Sequence, residues 1–219
     1  MTFSLLVRDL ATGALGGAAA TGNLCVGAWV LHGDVRTGLT ASQGHYPNPL
    51  WSGQVLELLA SGREPAQAVR QVVDGDRGAG VRQLAVLDRN GSTAAHTGAR
   101  NLDYCGHVAE DGLIAAGNML ASVAVLQAVV AGFASATGLL AARLIAALAA
   151  GAAAGGDYRG LLSAAILVVS PDEPPLDLRI DHAADPVAAL GALYGHTRDP
   201  AYQDWLAGIP TLNDPERAP

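Results

Sequence analysis

The 219-residue chain contains no lysine: all 13 basic residues are arginine, against 20 acidic ones, for a formal net charge of −7. A chain so short of cations has no basic stripe whose contact with phosphates would release counterions, which excludes nucleic acid as an expected partner. Any mechanism that needs a catalytic lysine is excluded with it. Cysteine is scarcer still, with Cys25 and Cys105 in separate segments. Two scattered thiols make neither a disulfide scaffold nor, among dispersed histidines, a clustered metal site, so no metal and no cofactor is expected. Charged residues make up only 15% and aromatics 5%, whereas half of the chain is hydrophobic. Disorder requires the opposite balance, and the length suits one large domain with ample material for a core.

A secretory signal is also missing. Arg8 and Asp9 interrupt the opening MTFSLLVRDL where an apolar core would be needed, which points to a cytoplasmic protein. One long uncharged run does exist, from Leu120 to Ala142, and its length alone would span a bilayer. Ser122, Gln127, Gly132, Ser135, Thr137 and Gly138 break it, alanine dominates, and Arg143 follows at once. Thr137-Gly138 reads as a helix stop and a new start, so two helices are expected, Val123 to Ala136 and Leu139 to Ala150, and no membrane span. Their small apolar surfaces suit packing against a sheet or a second subunit, so a homo-oligomer is expected.

Elsewhere the pattern alternates. Thr2 to Val7 and Ala14 to Thr21 flank the turn cluster Asp9-Leu-Ala-Thr-Gly13 as a hairpin, and Val26 to Leu31 with Val35 to Ser42 read as a second hairpin around His32-Gly33-Asp34. In His45-Tyr-Pro-Asn-Pro49 two prolines forbid ladder bonding, so this is a loop. A helix bearing Val55, Leu56, Leu58 and Leu59 follows and ends at Gly62, and Pro65 opens another through Val73. Gln83 to Leu87 and Ser92 to His96 flank the hairpin turn Asp88-Arg-Asn-Gly91. Leu113 to Ala116, Ala164 to Val169 and Leu176 to Ile180 are further strands, and Pro186 to Leu193 is a last helix. Segregated runs of strands and helices favour antiparallel sheets under helix layers. The expectation is an α+β fold, a four-layer α-β-β-α sandwich, as one domain over residues 1–196 with a loosely attached Pro-rich tail over 197–219.

Several short strings stand in an order that carries more weight together than apart: Met1-Thr-Phe-Ser-Leu-Leu-Val-Arg-Asp9, Ala11-Thr-Gly13, Ala41-Ser-Gln43 with Asn48-Pro49, Leu58-Leu-Ala-Ser-Gly62, Arg82-Gln-Leu84, Asp88-Arg-Asn-Gly91, His96-Thr-Gly98, Gly106-His107, Gly117-Asn-Met-Leu120, Gly155-Gly-Asp157 with Ser163-Ala-Ala165, and Leu176-Asp-Leu-Arg179. Together they resemble the bacterial domain of unknown function 1028 (DUF1028) across residues 1–193. That family is similar to the N-terminal nucleophile (Ntn) hydrolases, which share the four-layer sandwich. The resemblance implies an amidohydrolase acting on a small amide or N-acyl compound, and it supplies no substrate.

In such enzymes the residue left at the N-terminus is the nucleophile and its own α-amine is the base, an amine that titrates near about 8. Here Thr2 follows Met1, and its small size permits methionine removal; otherwise Thr2 is an ordinary strand residue. Asp157 matches an acidic helper or forms a turn. Gln43 and Asn48 flank the Pro-rich loop as oxyanion donors or as loop-closing groups. Asn118 orients substrate or caps the next helix. His107 and His96 are general bases or packed side chains. Proteasome-like relatives use a lysine that this chain lacks, leaving Arg8 or Arg36 to supply positive charge. Leu161 and Leu162 replace residues that are usually polar in the family and would give a drier pocket. The competing function is a non-catalytic binding or assembly protein on the same fold, with the apolar helices as its interface.

Overall fold

The computed structural model describes residues 2–102 and 104–219. The chain runs β1 (Thr2–Arg8), β2 (Leu15–Thr21), α1 (Val26–Trp29), β3 (Leu31–Asp34), β4 (Gly38–Gly44), α2 (Leu50–Ala60), α3 (Pro65–Asp74), a 3-10 turn at Ala79–Val81, β5 (Arg82–Asp88), β6 (Thr93–Thr97), β7 (Gly106–Glu110), β8 (Leu113–Asn118), α4 (Ala124–Ser135), α5 (Leu140–Ala153), β9 (Ser163–Val169), β10 (Leu176–Ile180), α6 (Pro186–His196) and α7 (Pro200–Ala207). Every strand pairing is antiparallel, in a six-stranded sheet β10-β9-β2-β1-β8-β7 and a four-stranded sheet β3-β4-β5-β6.

Strand alternation sends successive side chains to opposite faces, and both faces here are apolar. Phe3, Leu5 and Val7 of β1 join Leu126, Val129, Leu144 and Leu148 of α4 and α5 and Leu190 of α6 in one core. Gly151 on α5 is required by that packing, because a Cβ there would press on Val129 and the Phe3 ring. Leu6, Leu15, Leu39, Leu87 and Ile114 fill the space between the sheets. Trp51 and Val55 of α2 with Val69 and Val72 of α3 cover Leu84 and Val86 on the outer face of the smaller sheet. The result is a sandwich of two antiparallel sheets between helix layers. Among the described residues no helix is long and apolar enough to cross a membrane, and the Leu120 to Ala142 run is divided between α4 and α5.

The second hairpin needs correction, and two further elements go beyond the sequence reading. Val26 to Leu31 begins as the helical turn α1, and the second hairpin reverses at residues 35–37 rather than at His32-Gly33-Asp34. There Asp34 accepts from the Arg36 backbone N–H at 2.8 Å and its guanidinium at 2.6 Å, making an Asx-type turn that outweighs the glycine. Strand β7 lacks an apolar run and is an edge strand, paired only to β8. Finally, the tail contains α7, and the Asn213 N–H donates to the Pro171 carbonyl at 2.9 Å.

Candidate functional site

Between the sheets the inner face changes character in steps of two residues. Read toward one end, β1 presents Leu6, Ser4 and Thr2; β8 presents Ile114, Ala116 and Asn118; β4 presents Leu39, Ala41 and Gln43; β5 presents Leu87, Ala85 and Gln83. Register aligns these into ranks. The polar rank is Ser163, Thr21, Thr2 and Asn118 across the larger sheet, and Gln43, Gln83 and Thr97 across the smaller one. All but Thr97, which is half-buried, are buried.

Gln83 is the hub. Its amide nitrogen donates to the Gly106 carbonyl at 3.0 Å, the Gly117 carbonyl at 2.9 Å and the Thr97 hydroxyl at 2.9 Å. Carbonyls only accept, so the NH2 of Gln83 must face them and its oxygen must face the other way. That oxygen accepts from Gln43 Nε2 at 2.8 Å and Asn118 Nδ2 at 3.1 Å. The polarity of all three amides is thereby fixed by two backbone groups. Gln43 Oε1 and Asn118 Oδ1 are left buried without a partner.

Thr2 opens β1 directly opposite both Thr21 and Asn118, and its hydroxyl donates to the Thr21 hydroxyl at 3.2 Å. Such cross-strand neighbours have Cβ atoms about 4.5–5.5 Å apart. Met1 lies outside the described residues. Asp157 acts as both turn former and tie: Oδ1 accepts from the Arg159 backbone at 2.8 Å, and Oδ2 accepts from the Gly22 N–H at 2.6 Å, immediately after Thr21. Its charge is matched by the Arg159 guanidinium, Nη2 to Oδ2 at 3.1 Å, and this bond holds the guanidinium pKa above its ordinary value. Gly22 is needed here, because a Cβ would collide with the Asp157 carboxylate and the Gly160 carbonyl.

The backbone is strained at the same end. Met119 and Cys25, at φ 58° and 59°, adopt the left-handed region that side chains disfavour. Met119 turns the chain just after Asn118 so that its N–H reaches the Leu102 carbonyl at 2.9 Å. Non-glycine residues held in this region gather at functional sites.

The other expected residues fall elsewhere. Asn118 does not cap a helix; α4 starts six residues later, where the Ser122 hydroxyl accepts from the Ala124 N–H at 3.2 Å. Asn48 closes its own loop, accepting from the Leu50 N–H at 3.0 Å and donating to Asp76 at 2.8 Å. It lines an outer cleft of about 740 Å³ between α2 and α3 that none of Gln43, Gln83 and Asn118 lines and that is walled by Asp76 and Arg82, which already pair. His107 is exposed on the edge strand β7, opposite Ala116. His96 packs edge-on to Trp51, with Nε2 3.0 Å from the Ala79 carbonyl. Arg8 ends β1 and Arg36 sits in the β3–β4 turn, so both lie at the opposite end from Thr2. Leu162 does reach the site, its N–H donating to the Thr21 carbonyl at 2.8 Å, whereas Leu161 packs on the helix side.

Sequence reasoning missed Gln83, Thr97 and Thr21. The available signal was a polar residue in phase with the inward face of a strand, visible in Gln83-x-Ala85-x-Leu87. Asn101 was missed as well; its side chain ties the loops, accepting from the His45 N–H at 3.0 Å and donating to the Arg82 carbonyl at 2.8 Å.

No match is found among curated proteins. The crystal structure of protein SPO2555 from Silicibacter pomeroyi, assigned to DUF1028, is similar throughout, with a TM-score of 0.95 and 47% identity over 99% of this chain and 98% of that one. The family of unknown function DUF1028 itself matches residues 2–190. The chain therefore belongs to the DUF1028 family.

Proposed function

We propose that the protein is an amide hydrolase of the Ntn type with Thr2 as its nucleophile, acting on a small amide or N-acyl compound. The observation that carries this is the position of Thr2: first in a central strand, on the inter-sheet face, within a rank of buried hydroxyls and amides. Removal of Met1 would free the Thr2 α-amine. At neutral pH an amine titrating near about 8 is partly unprotonated and can take the hydroxyl proton. The Thr2 oxygen then bonds to the substrate carbonyl carbon, the C–N bond breaks, and the proton passes to the departing nitrogen. Water cleaves the resulting ester and restores the hydroxyl. Asp157 positions the site through Gly22, and Gln43 and Asn118 supply the polar wall.

Intact-mass analysis joined to labelling by an electrophilic probe for N-terminal threonine tests this. The expected result is loss of Met1 and one adduct on Thr2. Complete retention of Met1 in the purified protein overturns the mechanism. A second reading, an assembly protein without catalysis, is favoured by the uncharged outer side of the α4–α5 pair, where Val123 and Leu139 are exposed. Light scattering decides it: a monomer at every concentration removes that alternative.

A further inference from the structure

The direction of the amide chain determines what the site can hold. Because the Gly106 and Gly117 carbonyls orient Gln83, and Gln83 in turn orients Gln43 and Asn118, the groups left over are two acceptor oxygens. Both belong to side chains that are essentially sealed, Gln43 at 1% and Asn118 at 0% exposure. A buried acceptor without a donor forfeits the hydrogen bonds it would make to water, so the pair is matched when hydrogen-bond donors enter the rank.

Charge narrows the class. The polar rank consists of hydroxyls and amides alone, and Asp157, the carboxylate tied to the adjoining strand end through Gly22, is matched by Arg159. An ammonium ion would lose its hydration there with no opposite charge in return, and a carboxylate would meet acceptor oxygens that repel it. A neutral group with two N–H donors matches the two oxygens in number and polarity. The rim differs in kind: the loops at this end expose Leu24, Tyr46, Leu102, Tyr158 and Leu162, which suits an apolar remainder.

We propose that the Gln43–Asn118 pair recognises a terminal carbamoyl group, –CO–NH2, on a small molecule with an apolar body. Asn118 stands directly across from Thr2, so a carbamoyl nitrogen held by Asn118 Oδ1 brings its carbon within reach of the Thr2 hydroxyl. Taken with the hydrolase proposal, on which the following step rests, the reaction is deamidation. The Thr2 oxygen–carbon bond forms, the C–N bond breaks and ammonia leaves with the hydroxyl proton. Water then releases the carboxylic acid.

Binding is measured on Thr2→Ala, which cannot turn over, with butyramide, butyrate and butylammonium as matched probes followed by ligand-observed NMR. Butyramide is expected to bind at least about tenfold more tightly than either ion. Asn118→Asp, nearly isosteric, sets a carboxyl against the Gln83 oxygen, which favours its protonated form, so the order is followed as pH rises and reverses in favour of butylammonium once the carboxyl ionises; Gln43→Glu provides the same reversal if the first variant does not fold. Equal affinities for the three probes, no saturable butyramide binding, or an order unchanged by the acidic variants each overturns the assignment. Labelling of wild-type Thr2 reports separately on the hydrolase: butyramide binding without labelling removes the nucleophile and leaves the recognition standing, and labelling without butyramide binding does the reverse.

Discussion

At one end of the sandwich the chain reverses in hairpin turns, at residues 9–14, 35–37, 89–92, 111–112 and 170–175. At the other end it leaves the sheets through loops at residues 22–25, 45–49, 119–123 and 154–162 and through the connection from β6 to β7. The inner ranks follow the same division. Leu6, Leu39, Leu87 and Ile114 meet near the turns, whereas Thr2, Gln43, Gln83 and Asn118 meet under the loops. At the turn end Arg36 and Asp34 form a local, exposed pair, and Arg143 reaches Asp9 from α5, whereas at the loop end neutral amides and hydroxyls are buried and bonded to one another across the two sheets. The apolar rank and the helix-covered cores supply hydrophobic burial, whereas the loop end carries buried polar groups and backbone strain of the kind that gathers at functional sites.

Mutations can break this contrast. Thr2→Ala has the largest expected effect, a loss of turnover on the order of 10³-fold or more with the melting temperature held, and Thr2→Ser retains part of the rate. Gln83→Leu comes next in stability. It strips partners from the Gln43 and Asn118 amides and from the Gly106 and Gly117 carbonyls, at about 1–3 kcal/mol for each buried group left unpaired, read by denaturant titration. Gln83→Glu sharpens the point. A protonated acid can still donate to one carbonyl, but an ionised one faces two, so its folded pKa lies above the ordinary value of about 4.3. The sign follows: the variant is closest to wild type in acid and loses stability as pH rises through that window. Flat behaviour across the window would contradict the amide direction assigned here.

Leu6→Ala, in the apolar rank, should cost about 2–5 kcal/mol while leaving the activity of the folded fraction unchanged, measured by unfolding and by rate per folded molecule. Gly22→Ala should cost about 1–3 kcal/mol through collision with Asp157, and should lower activity out of proportion because it displaces the strand end beside Thr2. Smallest is Asp34→Asn. The hydrogen bond from Arg36 holds the Asp34 carboxyl below the usual carboxylate range, so its contribution is complete above about 3.9 and fades as pH falls through the lowered value. Both partners are exposed, so thermal melts of the variant and wild type should nearly coincide at neutral pH.

Much of the architecture was legible because local rules and burial agreed. Proline at the first turn of α3 and α6, glycine after α2, the Asp88–Gly91 turn and the apolar periodicity of α4 and α5 each mark a boundary that the structure keeps to within a few residues. Where local signals competed, the reading slipped: His32-Gly33-Asp34 has the composition of a turn, but Asp34 bonds Arg36 and moves the reversal onward. The site was half legible. Thr2, Gln43, Asn118 and Asp157 stood out in family-like strings, but nothing in those strings said that Gln83 links two of them, or that Asn48 faces the other side of the smaller sheet.

The sequence by itself determined the class of the fold, two antiparallel sheets under helices, because hydrophobic period and turn chemistry are properties of short segments. It also set the charge deficit, thirteen arginines and no lysine, and hence that no site on this chain can use a lysine helper. Only the tertiary structure decided register, and with it which polar residues share a rank. Register is a relation between segments far apart in the chain, Thr2 against Asn118 and Gln43 against Gln83, and a shift of one residue would have turned every one of them to the opposite face.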